Sequence, residues 1–104
     1  MKLLTKEILR KLPALHATGD VPLDDKLIVL KLFTPWRDFT WYIAEYDPES
    51  GLMFGYATGV FENEWGYISL PELQGVIGPA GLRIERDRWF KPVKFSELKK
   101  KKGL

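Results

Sequence analysis

The chain has 104 residues, 45% hydrophobic and 13% aromatic, which suits one domain burying roughly two thirds of its unfolded surface and leaves little room for a second. With no cysteine it has no disulfide, thiolate metal site or cysteine nucleophile, so a small core must rest on its four Trp, four Tyr and six Phe. The formal charge of +2 hides a segregation. Residues 1–37 carry seven bases and four acids (+3), residues 38–82 seven acids and no base (−7), and residues 83–104 nine bases and three acids (+6).

Segregation of this kind bears on partners rather than on fold. Without Lys99 to Lys102, 12 bases stand against 14 acids (−2), a poor charge for a general nucleic-acid binder. No run of about 18 apolar residues occurs, and Met1 to Glu7 is interrupted by charge before a signal-peptide core can form. A cytoplasmic protein with no membrane contact is the expectation.

In chain order, Thr5 is a good helix N-cap, with Leu4 and Leu9 placed as a hydrophobic staple and Pro13 as the stop. Ile8, Leu9 and Leu12 should face inward, with Lys6 and Arg10 outside. His16 to Asp25 reads as a loop through Gly19, Pro22 and an Asp pair. Lys26 to Phe33 is β-rich and almost continuously apolar, as expected of a central strand covered on both faces. Phe39 to Tyr46 predicts a second strand. The turn Asp47-Pro48-Glu49-Ser50-Gly51 makes Leu52 to Val60 its hairpin partner.

In that third strand, bulky Leu52, Phe54, Tyr56, Thr58 and Val60 alternate with the small or slender Met53, Gly55, Ala57 and Gly59, leaving one face nearly bare for a close neighbour. Trp65 to Leu70 predicts a fourth strand, and Ser69 with Glu72 is a capping box for a short helix over Leu70 to Gln74. Gly75 to Gly81 is a loop. Leu82 to Arg88 alternates as a fifth strand, with Arg83, Glu85 and Asp87 on its polar side. Ser96 to Leu98 begins a last turn, and residues 99–104 read as a flexible basic tail on a domain of residues 1–98. The element order gives an α+β fold with an antiparallel sheet of about five strands.

The chain resembles the bacterial family called domain of unknown function 2958. The resemblance lies in Met1 to Ile8 (MKLLTKEI), Phe33 to Trp36 (FTPW), Thr40 to Tyr42 (TWY), Glu64 to Tyr67 (EWGY), Gly81 to Asp87 (GLRIERD) and Phe90 to Pro92 (FKP). It covers nearly the whole chain and carries no established activity. It implies a bacterial, cytoplasmic protein of plasmids and other mobile elements.

His16 is the only histidine and has no partner with which to build a transition-metal site. A serine triad would need it as base, whereas Ser50, Ser69 and Ser96 already read as turn or cap residues. Arg83, Glu85, Arg86 and Asp87 form a polar cluster that could hold magnesium or move a proton, or simply be a solvated, salt-bridged strand face. The latter reading is favoured, no phosphate-binding loop being present. Neither a metal nor any other cofactor is expected.

The leading expectation is a non-enzymatic interaction module. Trp36, Trp41, Glu45, Glu49, Glu62, Glu64, Trp65 and Tyr67 would form an acidic, aromatic face for a basic protein partner, such as a host-defence or DNA-processing protein. The alternative is nucleic-acid binding through Lys2, Lys6, Arg10, Lys99, Lys100, Lys101 and Lys102, if folding gathers both ends on one side. A carboxylate- or metal-dependent enzyme at the polar cluster is a second alternative.

Overall fold

The computed structural model describes residues 1–59 and 62–104. Its elements are α1 (Lys6–Lys11), β1 (Leu27–Ile28), β2 (Leu30–Phe33), β3 (Thr40–Asp47), β4 (Leu52–Thr58), β5 (Glu64–Ser69), α2 (Leu70–Gly75), β6 (Glu85–Arg86), β7 (Val93–Lys94) and α3 (Phe95–Lys102). Five strands form one antiparallel sheet in the order β5-β4-β3-β2-β6, and β1 pairs with β7 in a small second sheet. The α+β expectation holds. The central strand, however, is β3, not the Lys26 to Phe33 segment, which breaks at Val29 and lies one place from the sheet edge.

Strand alternation gives the large sheet two faces, each with its own core. On one, Leu30, Leu32, Ile43 and Met53 pack with Leu3, Leu4, Leu70, Leu73 and Ile84 beneath α1 and α2. On the other, Tyr42 and Ala44 pack with Ile28, Phe95 and Leu98 beneath α3, joined by Tyr56, Trp65 and Phe90. We call them the leucine face and the aromatic face. Complete burial of side chains such as Leu32, Ile43 and Met53 contributes about 1.5–3 kcal/mol each.

The local signals act as their chemistry requires. Thr5 caps α1 by accepting from the Ile8 N–H at 3.2 Å, and Ser69 caps α2 by accepting from the Glu72 N–H at 3.3 Å. Ile8 and Leu12 turn inward, but Leu9 is exposed, so the expected staple does not close. In the β3–β4 turn the Asp47 carboxylate accepts from the Glu49 and Ser50 N–H groups and from the Ser50 hydroxyl. Those bonds, led by the Ser50 hydroxyl, hold the Asp47 carboxyl below the usual carboxylate range.

Between β3 and β4 the register slips by one residue, with Ile43 opposite Gly55 but Glu45 opposite Phe54. Ala44 is thus a β-bulge. Gly55 answers it from the face of β4 predicted to be nearly bare, since a Cβ there would lie 2.2 Å from the Tyr42 carbonyl oxygen. That side of β4 is not wholly bare, because Met53 is fully buried. Val60, placed in this strand by the sequence, lies outside the described residues.

Two expectations fail near the C-terminus. The predicted strand over Leu82 to Arg88 contracts to Glu85–Arg86, and Lys99 to Lys102 belong to α3 instead of a tail. Phe95 and Leu98, spaced three apart, anchor that helix on the sheet, and Gly103 ends it in the left-handed conformation at φ 69°. Among the described residues no helix is long and apolar enough to cross a membrane.

Candidate functional site

The residues expected to form one acidic, aromatic face are divided by the sheet. Glu45 is not on the surface at all. The Ala44 bulge turns it onto the aromatic face opposite Phe54, where it is 2% exposed. Its carboxylate accepts from the His16 N–H at 2.8 Å and from the Thr18 hydroxyl, and pairs with the Lys26 ammonium at 3.4 Å. Lys26 also donates to the Thr18 carbonyl and stands 5.8 Å from the centre of the Phe54 ring. Burial alone would push the Glu45 carboxyl up. The Thr18 and His16 hydrogen bonds and the Lys26 charge outweigh it and hold the group below its usual range.

This arrangement fastens the loop before β1 to the sheet, so Glu45 is structural and unavailable to a partner. Its neighbours His16, Phe54 and Tyr67 border a shallow cleft of about 340 Å³. His16 has φ 69° and its ring meets that of Tyr67 edge-on at 5.9 Å. Tyr67 remains 56% exposed. Trp65, by contrast, is spent in packing: it stacks on Phe54 at 5.4 Å and meets Phe95 at 4.8 Å. Glu49 is in the β3–β4 turn, and Glu62 and Glu64 are exposed on the far side of β4.

Trp36 and Trp41 converge. They line a cleft of about 550 Å³ at the end of the leucine face, together with Phe39, Leu73, Val76, Ile77, Pro79 and Ile84. Trp36 lies within the tight Thr34–Phe39 connection, in which the Phe39 N–H donates to the Thr34 hydroxyl at 3.2 Å. Gly78 is needed opposite it, since a Cβ would lie 2.6 Å from the Trp36 ring. Ile77 is 66% exposed on the cleft wall, with Val76 and Leu82 also on the surface. Large apolar side chains thus lie exposed together around an open cleft. Glu64 belongs to the same face: it opposes Ala57, which opposes Trp41.

Strand parity divides the contacts of the polar cluster, although Glu85, Arg86 and Asp87 all border one groove beside β6 and only Arg83 lies outside it. Glu85 opposes Phe33 on the aromatic face, whereas Arg86 turns to the leucine side and donates to the Lys2 and Leu3 carbonyls. Arg83 donates to the Gln74 carbonyl at 2.7 Å, and Asp87 pairs with Lys31 at 3.6 Å. The Asp87 charge, after burial itself, helps raise the pKa of Tyr42. Among the described residues no three His, Asp or Glu side chains gather as metal ligands.

The basic ends are separated too. Lys2, Lys6 and Arg10 precede or lie on the helix that covers the leucine face, and Lys99 to Lys102 on the helix that covers the aromatic one. Lys99 pairs with Asp24 at 3.1 Å. The sequence reading missed Val76, Ile77 and Trp89. Their signals were an apolar pair inside a glycine and proline loop, and a tryptophan set among arginines.

No curated protein and no solved structure matches the chain. A family model does, described as a protein of unknown function (DUF2958), over residues 3–99. The match takes in the N-terminal segment, both sheets and most of α3, and the chain belongs to that family.

Proposed function

We propose that the protein is a non-enzymatic interaction module that holds an apolar segment of a protein partner in the cleft between Trp36, Trp41 and Ile77. The observation that carries this reading is the exposure of Ile77 and Val76 beside two tryptophans in an open cleft. Aromatic anchors in such a cleft supply most of the affinity of a protein contact. The acids belong to the rim: Glu64 lies two strands from Trp41 on the same face, about 10 Å away at ordinary strand spacing. A partner with lysine or arginine flanking its apolar anchor fits that rim and is steered to it. In the bacterial mobile-element setting that the family resemblance implies, a host-defence or DNA-processing protein is the natural partner.

The test is selection of a random peptide library on the wild-type protein, followed by binding of the winners to Ile77→Asp. Enriched peptides should share one or two large apolar residues with basic flanks, and the substitution should weaken them at least about tenfold, the effect of losing one anchor. No enrichment, or equal binding by Ile77→Asp, sinks the reading. Charge reversal at Glu62 and Glu64 should slow association and flatten its salt dependence.

A further inference from the structure

On the aromatic face, at the end of the sheet that α3 does not reach with Phe95, lies a second groove of about 650 Å³. Phe33 and Lys31 of β2, Thr40 of β3 and Glu85 of β6 share that face by register. The segment after β6 closes the groove with Asp87, Arg88 and Trp89. Trp89 is 90% exposed, the largest exposure among the big apolar side chains described.

Trp89 stands on a fastened turn. Its own N–H donates to the Asp87 carboxylate at 2.9 Å, the next N–H, of Phe90, donates to the Asp87 carbonyl at 3.3 Å, and the Phe90 ring packs near Tyr42. Asp87 is itself held by Lys31, and its backbone N–H by the Lys31 carbonyl at 3.0 Å. The chain thus presents an indole to water from a braced support, where a hydrophobic residue ordinarily turns inward.

We propose that this groove binds single-stranded nucleic acid, with a base stacked on Trp89 and the sugar-phosphate chain held by Arg37 and Arg88. The lining decides the class of ligand. Four cations (Lys31, Arg37, Arg86, Arg88) face three carboxylates (Asp38, Glu85, Asp87), and Lys31 is committed to Asp87 and Arg86 to the N-terminal carbonyls. Arg37 and Arg88 form no ion pair among the described residues, and neither do Asp38 and Glu85, so the lining carries one cation more than it has carboxylates. A protein hot spot would ring the indole with apolar neighbours. Here its surroundings are mostly polar and charged, with Phe33 the only other ring, the mixture of stacking surface and cations that suits a ligand of alternating bases and phosphates. The Trp36 cleft opens on the opposite face and shares only Arg37 with this groove.

The experiment is fluorescence anisotropy of a labelled oligothymidine and of a duplex of equal length, at several salt concentrations. The single strand should bind better than the duplex, whose bases are already stacked. Two neutralised phosphates give a slope of log affinity against log salt of about −1.4. Trp89→Ala should weaken binding about tenfold or more while Trp89→Phe retains most of it, as base stacking requires. The double change Arg37→Ala with Arg88→Ala should flatten the salt slope. An exposed side chain makes Trp89→Ala safe for folding, and a thermal melt checks this. Absence of binding at low salt overturns the proposal, as does equal binding by Trp89→Ala or equal binding of duplex. If library peptides, not oligonucleotides, lose binding on Trp89→Ala, the groove belongs to a protein and the proposal fails.

Discussion

Two groups of aromatic side chains, drawn largely from the same acidic stretch of sequence, meet opposite ends. Tyr56 and Trp65 on one face are closed over by Phe95 of α3, with ring centres 4.7 and 4.8 Å away, and Phe54 stacks on Trp65 beside Lys26. Trp36, Phe39 and Trp41 on the other are half-buried and border an open cleft walled by Leu73, Ile84 and the loop of Val76 to Pro79. Composition does not separate these groups. What separates them is whether an aromatic ring from a helix closes over them, so aromatic density is packed core in one place and the border of an open cleft in the other.

The sharpest way to break this contrast is to truncate one ring from each group. Phe95→Ala should cost about 3–5 kcal/mol, the range for deleting a buried aromatic. Phe39→Ala, in the open group, should cost less than half as much in the same urea titration. Equal losses would mean that both groups are core.

Next in size is the fastening of the aromatic face. Glu45→Ala strands the Lys26 ammonium in a buried position, and should cost about 3 kcal/mol. Replacing Lys26 by Met in that background should restore part of the loss, which chemical denaturation of the two variants measures. Acid should act on the same group. The Glu45 pKa is lowered by folding, so its contribution is present above the unfolded value of about 4.5 and disappears as pH falls through the lower folded value. Glu45→Gln should therefore be less stable at neutral pH and lose less on acidification. Parallel stability curves from pH 7 to pH 3 would remove Glu45 from that role.

The smallest effect on stability is expected in the open cleft. Ile77→Asp should change the unfolding free energy by no more than about 0.5 kcal/mol, as for other exposed positions. A loss of several times that would show that the Val76 to Pro79 loop is part of the core, and would weaken the case for docking there.

Much of this fold was readable from local chemistry. The caps at Thr5 and Ser69, the Asp47 turn and the alternation of β4 involve residues within a few positions of one another, and they form as expected. The family resemblance was equally legible, in blocks spread along the chain. What escaped was set at a distance. Glu45 looked like a surface acid because its partners, Thr18 and Lys26, lie 27 and 19 residues away, and because a bulge reversed the strand parity. Arg86 was grouped with Glu85 and Asp87 by sequence, yet it reaches back 84 positions to the Lys2 carbonyl. The run of four lysines obscured a helix whose signals, the Phe95 and Leu98 spacing and Gly103, were all present.

The pairing of β7 with β1 joins residues more than sixty positions apart, and the Phe95 N–H donates to the Lys26 carbonyl at 3.0 Å. During synthesis from the N-terminus, the sheet up to β5 can pair while its aromatic side still lacks a lid. Tyr56 and Trp65 then face water until the stretch from Val93 to Leu98 has been made. A nascent chain halted before that point carries a sticky sheet surface, the kind of species that aggregates or draws a chaperone. Elements made after the sheet thus decide whether its aromatic side is covered, and ribosome-bound chains stalled before and after Phe95 should differ in their capture of ribosome-associated chaperones.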